Sequence, residues 1–210
     1  MFKNQVAEFI YKRTYSRWIE EENRREEWEE TIDRFLSFVI SEKPDIPEKT
    51  QSKIKKYMME FGVMPSMRFL WAAGPAAKAD NTCIYNCSFA KINTVDAFAE
   101  CLYILMCGTG FGFSVEQEEV DKLPVIPEIN SGQALKKVII EDSKRGWADS
   151  VKTLMQNLYD GQNVHFDYSE IRLEGARLKT MGGRASGPQP LVKLHDFIRE
   201  TMHNAQGRQL

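Results

Sequence analysis

The sequence lacks any long apolar stretch and any strong excess of charge of one sign. No run approaches the roughly 20 apolar residues that a membrane-spanning helix needs. The first residues are charged and aromatic, without the small-residue cleavage site of a secretory signal peptide. A formal net charge of −2 provides no basic field that would attract nucleic acid. We therefore expect a cytoplasmic protein that has no direct contact with membrane or nucleic acid.

Metal-ligating residues are also scarce. The three histidines, His165, His195 and His203, have no spacing that indicates a metal site, and we predict that they lie at the surface. Cys83 and Cys87 form a CxxxC pair, which differs from the usual CxxC spacing and has no second pair to complete a zinc site. We expect no bound metal. A thiol- or metal-binding protein that uses these two cysteines is an alternative, which elemental analysis would test.

The composition is that of a globular protein with a real core. Of the 210 residues, 42% are hydrophobic and 28% are charged, and we find no internal repeat. Apolar periodicity predicts helix through residues 1–40, with the charged run Glu20–Glu30 on a solvated helix face. Residues 64–71 are predicted as a turn into a short apolar run, and residues 72–80 as a small-residue loop. Further helices are predicted at 49–61 and 95–106, after Ser143 and from Pro190, and short strands at 138–140, 164–168 and 177–181.

The stretch Asn81–Val115 organises the rest of the chain. A short apolar run that contains Cys87 precedes an amphipathic helix, Val95–Met106, which has Asp96 in its first turn and ends at Gly108. A glycine-rich segment then enters a second strand. Strand, helix and strand in this order predict a parallel pair with a right-handed crossover. The glycines either let a ligand approach the backbone or serve the fold alone.

Several segments in series resemble one family, the adenosylcobalamin-dependent (class II) ribonucleotide reductases, in particular the monomer-type ribonucleoside-triphosphate reductases. They occur in the family's order and at compatible separations over essentially the whole chain. The matching segments are Arg13–Trp18, Trp28–Thr31, Pro65–Trp71, Asn86-Cys87, Gly110–Val115, Gly146-Trp147, Asp167–Arg172, and Gly182–Pro188 with Pro190-Leu191.

The resemblance implies an α/β fold. A helical N-terminal region, residues 1–62, would precede the first half of a ten-stranded α/β barrel, residues 63–210, with effector-region segments at 95–106 and 116–210. The family's chains are much longer than this one. Their radical-forming cysteine, second redox cysteine, active-site carboxylate and asparagine, and most of their cobalamin-binding surface have no counterpart here. We therefore expect no activity without a C-terminal fragment of the same enzyme.

The resemblance also implies site residues and partners. In the family, cobalamin homolysis creates a cysteine thiyl radical that attacks the ribose, and a cysteine pair supplies the reducing electrons. Cys87 resembles the first cysteine of that pair, with a buried structural cysteine as the alternative. Ser66 resembles a position near the substrate phosphates, with a turn serine as the alternative. Gly110, Gly112 and Ser114 resemble the floor of the nucleotide site. Asp96 resembles an effector-site residue, with helix capping as the alternative.

The expected partners are a ribonucleotide substrate, a deoxynucleotide effector and a thioredoxin-type reductant. A function of a different class is a non-catalytic nucleotide-binding module that retains half of the barrel. Such a module would bind deoxynucleotides without any C-terminal fragment.

Overall fold

The computed structural model describes residues 2–130, 137–178 and 182–209. These residues form two compact units: the first comprises the described residues up to Asn86 together with Gly182, and the second comprises the remainder, from Cys87 onward. The predicted boundary after residue 62 refers to the family's barrel, and it stays a prediction. No helix of the described residues is long and apolar enough to span a membrane.

The first unit is mainly helical. Its elements are α1 (Gln5–Thr14), β1 (Trp18–Ile19), β2 (Arg24–Arg25), α2 (Trp28–Glu42), α3 (Glu48–Met59), α4 (Met67–Ala72), α5 (Pro75–Ala79) and a 3-10 turn (Asn81–Ile84). The apolar run predicted within 64–71 forms the short helix α4, whereas the prediction of a loop at 72–80 was wrong, because helix α5 occupies most of that segment. Two buried clusters, one centred on α2 and one on the alanines of α4 and α5, form the core.

The prediction of helix through residues 1–40 holds for α1 and α2 and was wrong for the segment between them. Strands β1 and β2 form an antiparallel hairpin between α1 and α2, and Asn23 supplies a left-handed backbone conformation, φ 51°, in the connection. The charged run is not a solvated helix face, because the Glu26 side chain is buried against Arg34, with a distance of 2.7 Å between Oε1 and Nε. The carboxylate of Glu26 also accepts a hydrogen bond from Thr31.

The second unit combines helices with two parallel strand pairs. Its elements are β3 (Cys87–Lys91), α6 (Asp96–Met106), β4 (Gly110–Ser114), α7 (Gln117–Val120), β5 (Lys137–Ile139), α8 (Lys144–Tyr159), β6 (His165–Asp167) and α9 (Gln189–Asn204). Strand β3 pairs with β4 and strand β5 with β6, both in parallel. Among the described residues, strand pairing is therefore limited to pairs of strands, and the half-barrel stays a proposal.

The predicted strand–helix–strand unit is confirmed. Helix α6 ends in a Schellman motif: the N–H of Gly108 donates to Leu105, the N–H of Thr109 donates to Ile104, and Gly108 has φ 79°. This tight ending returns the chain to the start of β4. Helix α6 packs on α8 through its apolar side chains, and this contact joins the strand–helix–strand motif to the main core of the second unit.

The main core of the second unit lies between α8, α9 and the strands β5 and β6. Its fully buried members include Leu154, Leu158, Val164 and Leu191. Ser143 caps α8 as predicted, since its Oγ accepts a hydrogen bond from the N–H of Gly146 at 2.9 Å. The candidate strand at 177–181 is represented by a single antiparallel bridge between Arg177 and Arg184, and positions 179–181 lie outside the described residues.

Candidate functional site

Cys87 is the first residue of β3 and pairs in register with Gly110, the first residue of β4. Its thiol is free and exposed, which contradicts the alternative of a buried structural cysteine. Side chains alternate along a strand, so Cys87 and Phe89 share one face of β3, and the exposed fraction of Phe89 is 67%. The start of this strand pair therefore presents a thiol and an aromatic ring to solvent.

The same face of β4 carries the two predicted glycines. Gly110 and Gly112 lie opposite Cys87 and Phe89, and both are exposed. A Cβ placed on Gly112 would lie 3.5 Å from Cδ2 of Phe89, which is an ordinary van der Waals contact. Packing therefore leaves room for a side chain at position 112, and the missing side chain keeps the backbone beside the thiol uncovered.

Ser114 does not lie with this group. It is the last residue of β4, opposite Lys91, and it is buried. It lies four positions along the strand from Gly110, which corresponds to roughly 13 Å. Its carbonyl accepts a hydrogen bond from the N–H of Ile92 at 3.1 Å. Among the described residues, then, the thiol and the two glycines meet at the amino ends of the strands, and Ser114 lies at the carboxyl ends.

The carboxyl ends of β3 and β4 are held by Glu119, to which the sequence analysis assigned no role. Its buried carboxylate accepts hydrogen bonds from Lys122 at 2.6 Å, from Lys91 at 2.5 Å and from Asn93 at 2.8 Å. These donors lower the pKa of Glu119 to about 2. Its position in an acidic run after β4 gives no signal of this role, because the neighbours Glu116 and Glu118 are exposed.

Asp96 lies in the first turn of α6, as predicted, but it does not cap the helix. The capping alternative is contradicted, since Thr94 Oγ1 accepts the hydrogen bond from the N–H of Ala97. The Asp96 carboxylate instead pairs with Lys152 of α8, with 2.9 Å between Oδ2 and Nζ. Both side chains are partly exposed, so the pair forms the solvent-facing edge of the contact between α6 and α8.

Ser66 belongs to the first unit, whereas the other predicted site residues belong to the second. It is exposed, and its Oγ accepts a hydrogen bond from the N–H of Phe69 at 3.2 Å, so it caps α4. The carbonyls at the other end of α4 accept hydrogen bonds from two guanidinium groups. Arg17 donates to the carbonyl of Trp71, and Arg34 donates to those of Leu70 and Ala73.

The prediction that the histidines lie at the surface was wrong for His195. Its exposed fraction is 0%, and burial, together with the positive charge of Arg199, lowers its pKa to about 4. A signal was present in the sequence, because His195 falls in the apolar stripe of α9 between Leu191 and Met202. His165 is exposed.

The cysteine pair Cys83 and Cys87 is divided between the two units. Cys83 is completely buried in the first unit, in the cluster of small residues around Ala72 and Ala76. The described residues contain no group of three or more His, Cys, Asp or Glu side chains placed to hold a metal ion. Cys87 is thus the exposed member of the pair.

Comparison with known proteins supports the resemblance. Residues 1–75 match the ribonucleotide reductase alpha domain, and residues 114–202 match the insertion domain of B12-dependent ribonucleotide reductase. The fold matches a crystal structure of a B-12 dependent (class II) ribonucleotide reductase with a TM-score of 0.80 at 24% sequence identity, over 96% of this chain and 37% of that one.

Curated relatives point the same way. The adenosylcobalamin-dependent ribonucleoside-triphosphate reductase of Euglena gracilis is 29% identical, over 98% of this chain and 31% of the relative. The enzyme of the same name from Lactobacillus leichmannii is 25% identical, over 95% of this chain and 36% of the relative. A putative enzyme of this type from Mycobacterium phage D29 is 28% identical over 94% of this chain.

These matches show that the chain is similar to ribonucleotide reductases over most of its length. The insertion-domain match and the named relatives are those of adenosylcobalamin-dependent enzymes. The chain spans about a third of the length of the curated relatives that it matches.

Proposed function

We propose that this chain forms part of an adenosylcobalamin-dependent ribonucleotide reductase, and that Cys87 is one member of its electron-donating thiol pair. In this step two thiols become one disulfide. The ribonucleotide gains two electrons and two protons, and the ribose hydroxyl leaves as water. The observation that carries the proposal is the free, exposed thiol of Cys87 beside the bare backbone of Gly110.

The second thiol is expected on a partner polypeptide. A disulfide requires Cα atoms about 4.4–6.8 Å apart, and exchange with a reductant requires access. Cys83 and Cys107 are completely buried, so neither is accessible to a reductant. Burial also raises the pKa of the Cys101 thiol, which disfavours the reactive thiolate. We assign re-reduction of the disulfide to a thioredoxin-type dithiol.

The partner is a polypeptide that carries the remaining two thirds of the relatives' length. Parallel sheets are normally covered on both faces and extended beyond two strands. Among the described residues, the sheet that contains β3 and β4 has no further strand. The side chains of Phe89 and Phe113 on it are 67% and 59% exposed. The proposal is that this pair belongs to the first half of the ten-stranded barrel, which the partner completes.

Substrate and effector are assigned to separate places. The relatives are named ribonucleoside-triphosphate reductases, and we assign a ribonucleoside triphosphate to the surface at Cys87, Gly110 and Gly112. The role of Ser66 near the substrate phosphates, which the resemblance implies, stays a prediction. A deoxynucleotide effector is assigned to the region of Asp96, whose partner Lys152 supplies a cation for its phosphates. Ser114 is buried at the end of β4, and we assign it a structural role instead of a contact with the substrate.

Adenosylcobalamin, on which the relatives depend, supplies the initial radical when it is bound. The buried His195 already uses both ring nitrogens in hydrogen bonds, and we have assigned the exposed thiol of Cys87 to the redox pair. We therefore assign cobalamin binding to the partner polypeptide.

The test is reconstitution. The 210-residue chain is mixed with the C-terminal two thirds of a relative, adenosylcobalamin, a ribonucleoside triphosphate and a dithiol. Wild-type chain should support repeated turnover, and Cys87→Ser should abolish it. Cys101→Ser is the matched control and should retain turnover.

Two results would contradict the proposal. One is dithiol-dependent turnover by Cys87→Ser at the wild-type rate. The other is reduction of ribonucleotides by the isolated chain with adenosylcobalamin alone. Tight binding of deoxynucleotides by the isolated chain, without turnover in the mixture, would instead support a nucleotide-binding module.

A further inference from the structure

A buried line of hydrogen bonds joins three elements of the second unit. Nδ1 of His195, on α9, lies 2.8 Å from the hydroxyl of Tyr168, which follows β6. Nε2 of His195 lies 3.1 Å from Oγ of Ser150 on α8. The Ser150 hydroxyl also contacts the carbonyl of Trp147 at 2.7 Å. At the opposite end, the positive charge of Arg199 acts on Tyr168.

The carbonyl end of this line determines the direction of every hydrogen bond in it. A carbonyl only accepts, so Ser150 gives its proton to Trp147 and accepts from Nε2 of His195. A neutral ring with its proton on Nε2 has a lone pair on Nδ1, so Nδ1 accepts the proton of the Tyr168 hydroxyl. His195 is therefore a neutral ring that carries its proton on Nε2.

This direction excludes the arrangement of a nucleophilic serine. A histidine that activates a serine must accept the hydroxyl proton at the facing nitrogen. Here that nitrogen carries the proton, and the hydroxyl proton of Ser150 is committed to a carbonyl. Ser150 is also buried, which leaves no approach for a substrate. The role of the line is therefore to hold elements together.

We propose that His195 is a proton-sensitive lock that holds α9 against α8 and the end of β6. A second proton on the ring must go to Nδ1, where the hydroxyl of Tyr168 already donates. Protonation therefore ends the donation from Tyr168 to Nδ1, and it places a positive charge on a ring that is closed to water and lies close to Arg199. The polar connection of α9 to the end of β6 is weakened as a result.

The charges around the ring act in the same direction. Arg199, one turn further along α9, repels a second proton on the ring, and its guanidinium also contacts the face of Phe166 and the carboxylate of Asp196. From β6, the apolar ring of Phe166 lies 4.6 Å from that of His195. From α8 the facing group is the neutral Ser150. Burial and Arg199 together lower the pKa of His195 to about 4.

The sign of the effect follows from linkage. The ring binds a proton less readily in the folded chain than in the unfolded chain, where its pKa is about 6.5. The contribution of His195 to stability is therefore complete above pH 6.5, and it is lost as the pH falls from 6.5 towards 4. The carboxylates Glu30 and Glu119, whose pKa values are lowered to about 2, lose their contribution mainly below pH 4.5.

The experiment has two parts. Thermal unfolding is followed between pH 7.5 and 4.5 for the wild-type chain, for His195→Gln and for His165→Gln, the matched control at an exposed position. We expect the wild-type Tm to fall by roughly 5–10 °C over this range. His165→Gln should fall equally, and His195→Gln should have a lower Tm at pH 7.5 but a clearly smaller decrease with acid.

Nitrogen-15 NMR of the imidazole rings in the wild-type chain keeps the proposal testable if His195→Gln does not fold. The expected spectrum shows His195 as the Nε2–H form at pH 7.5, with no titration above pH 5. A ring that carries its proton on Nδ1 would overturn the proposal. So would titration near pH 6.5, or an unchanged acid dependence of Tm in His195→Gln.

Discussion

Glu119 shows how one side chain can secure the end of a strand. Its carboxylate joins Lys91, the last residue of β3, to Lys122 beyond α7, and it also holds Asn93. The carboxylate is ionised at neutral pH, and these donors lower the pKa of Glu119 to about 2, so that it stays ionised well below pH 4.5. Its stabilising contribution is present above pH 4.5 and is lost as the pH falls towards 2.

We predict that Glu119→Gln lowers Tm at pH 7 by a few degrees and reduces the further loss of stability between pH 4.5 and 2. The amide keeps the shape of the side chain but removes the charge that faces the two lysines. Thermal unfolding monitored by circular dichroism measures the effect, with Glu118→Gln, at an exposed neighbouring position, as the control. Equal melting curves for the two variants would contradict the role of Glu119.

Single residues also mark the limit of sequence reasoning. Cys87 was found through the resemblance, because a lone cysteine has no periodicity that reveals its exposure. The burial of His195 could have been found, since it lies in the apolar stripe of α9. Glu119 could not have been found, because its donors Lys91 and Asn93 lie 28 and 26 residues away and meet it only after the strands have paired.

Helix α8 begins with a contact that only glycine permits. A Cβ on Gly146 would lie 2.3 Å from the carbonyl oxygen of Glu141 and 2.8 Å from its Cβ, so the backbone would have to move. We predict that Gly146→Ala destabilises the chain by about 1–3 kcal/mol, measured by urea denaturation.

Gly112→Ala is the matched control, because a Cβ there meets only ordinary contacts. It should leave the unfolding curve nearly unchanged, and in the reconstituted mixture it should weaken nucleotide binding by covering backbone beside Cys87. Equal losses of stability in Gly146→Ala and Gly112→Ala would contradict the conclusion that the fold requires glycine at position 146 and not at position 112.

Helix α4 depends on arginines from elsewhere in the first unit. Arg34 of α2 neutralises the buried Glu26 and also donates to two carbonyls at the end of α4. Burial opposes ionisation of Glu26, but the hydrogen bonds and charge of Arg34 outweigh it and lower the pKa of Glu26. This one guanidinium therefore connects α4 to the hairpin that precedes α2.

We predict that Arg34→Leu destabilises the chain by about 3–5 kcal/mol, because it leaves a buried carboxylate without its cation. Urea denaturation gives the value. The double variant Arg34→Leu/Glu26→Leu removes both charges and should recover part of the loss. A double variant whose loss equals the sum of the two single losses would show that the two side chains do not interact.

At the level of elements, the sequence predicted those with strong apolar periodicity. Helices α3, α6, α8 and α9 and the strand pair around α6 follow local rules of spacing, capping and glycine placement. The hairpin β1–β2 was missed because its charged residues satisfy a helical pattern equally well. Its conformation depends on Glu26 turning inward to Arg34, which is a tertiary contact.

The whole chain consists of two compact units and spans about a third of its relatives. Among the described residues, β3 and β4 pair only with each other, and both carry exposed aromatic rings, so their outer edges favour association. We expect the isolated chain to self-associate through this sheet as its concentration rises.

Sedimentation velocity over a range of concentrations tests this prediction. Phe89→Lys should reduce self-association without lowering Tm, because the ring is 67% exposed and contributes little to the core. Phe197→Lys, at a 65% exposed position on α9, adds the same charge elsewhere and should leave association unchanged. A sedimentation coefficient that does not vary with concentration would refute the expectation.

The pairing of Cys87 with Gly110 has a consequence for how such chains can vary. Neighbouring positions of β3 point to opposite sides, so removing one residue at positions 88–90 would turn the thiol to the opposite face and bring the Asn86 side chain to its place. The thiol would then be lost from this face although every cysteine codon survived. Functional homologues should therefore tolerate length changes before Tyr85 or after Ile92, and almost none in the six positions between.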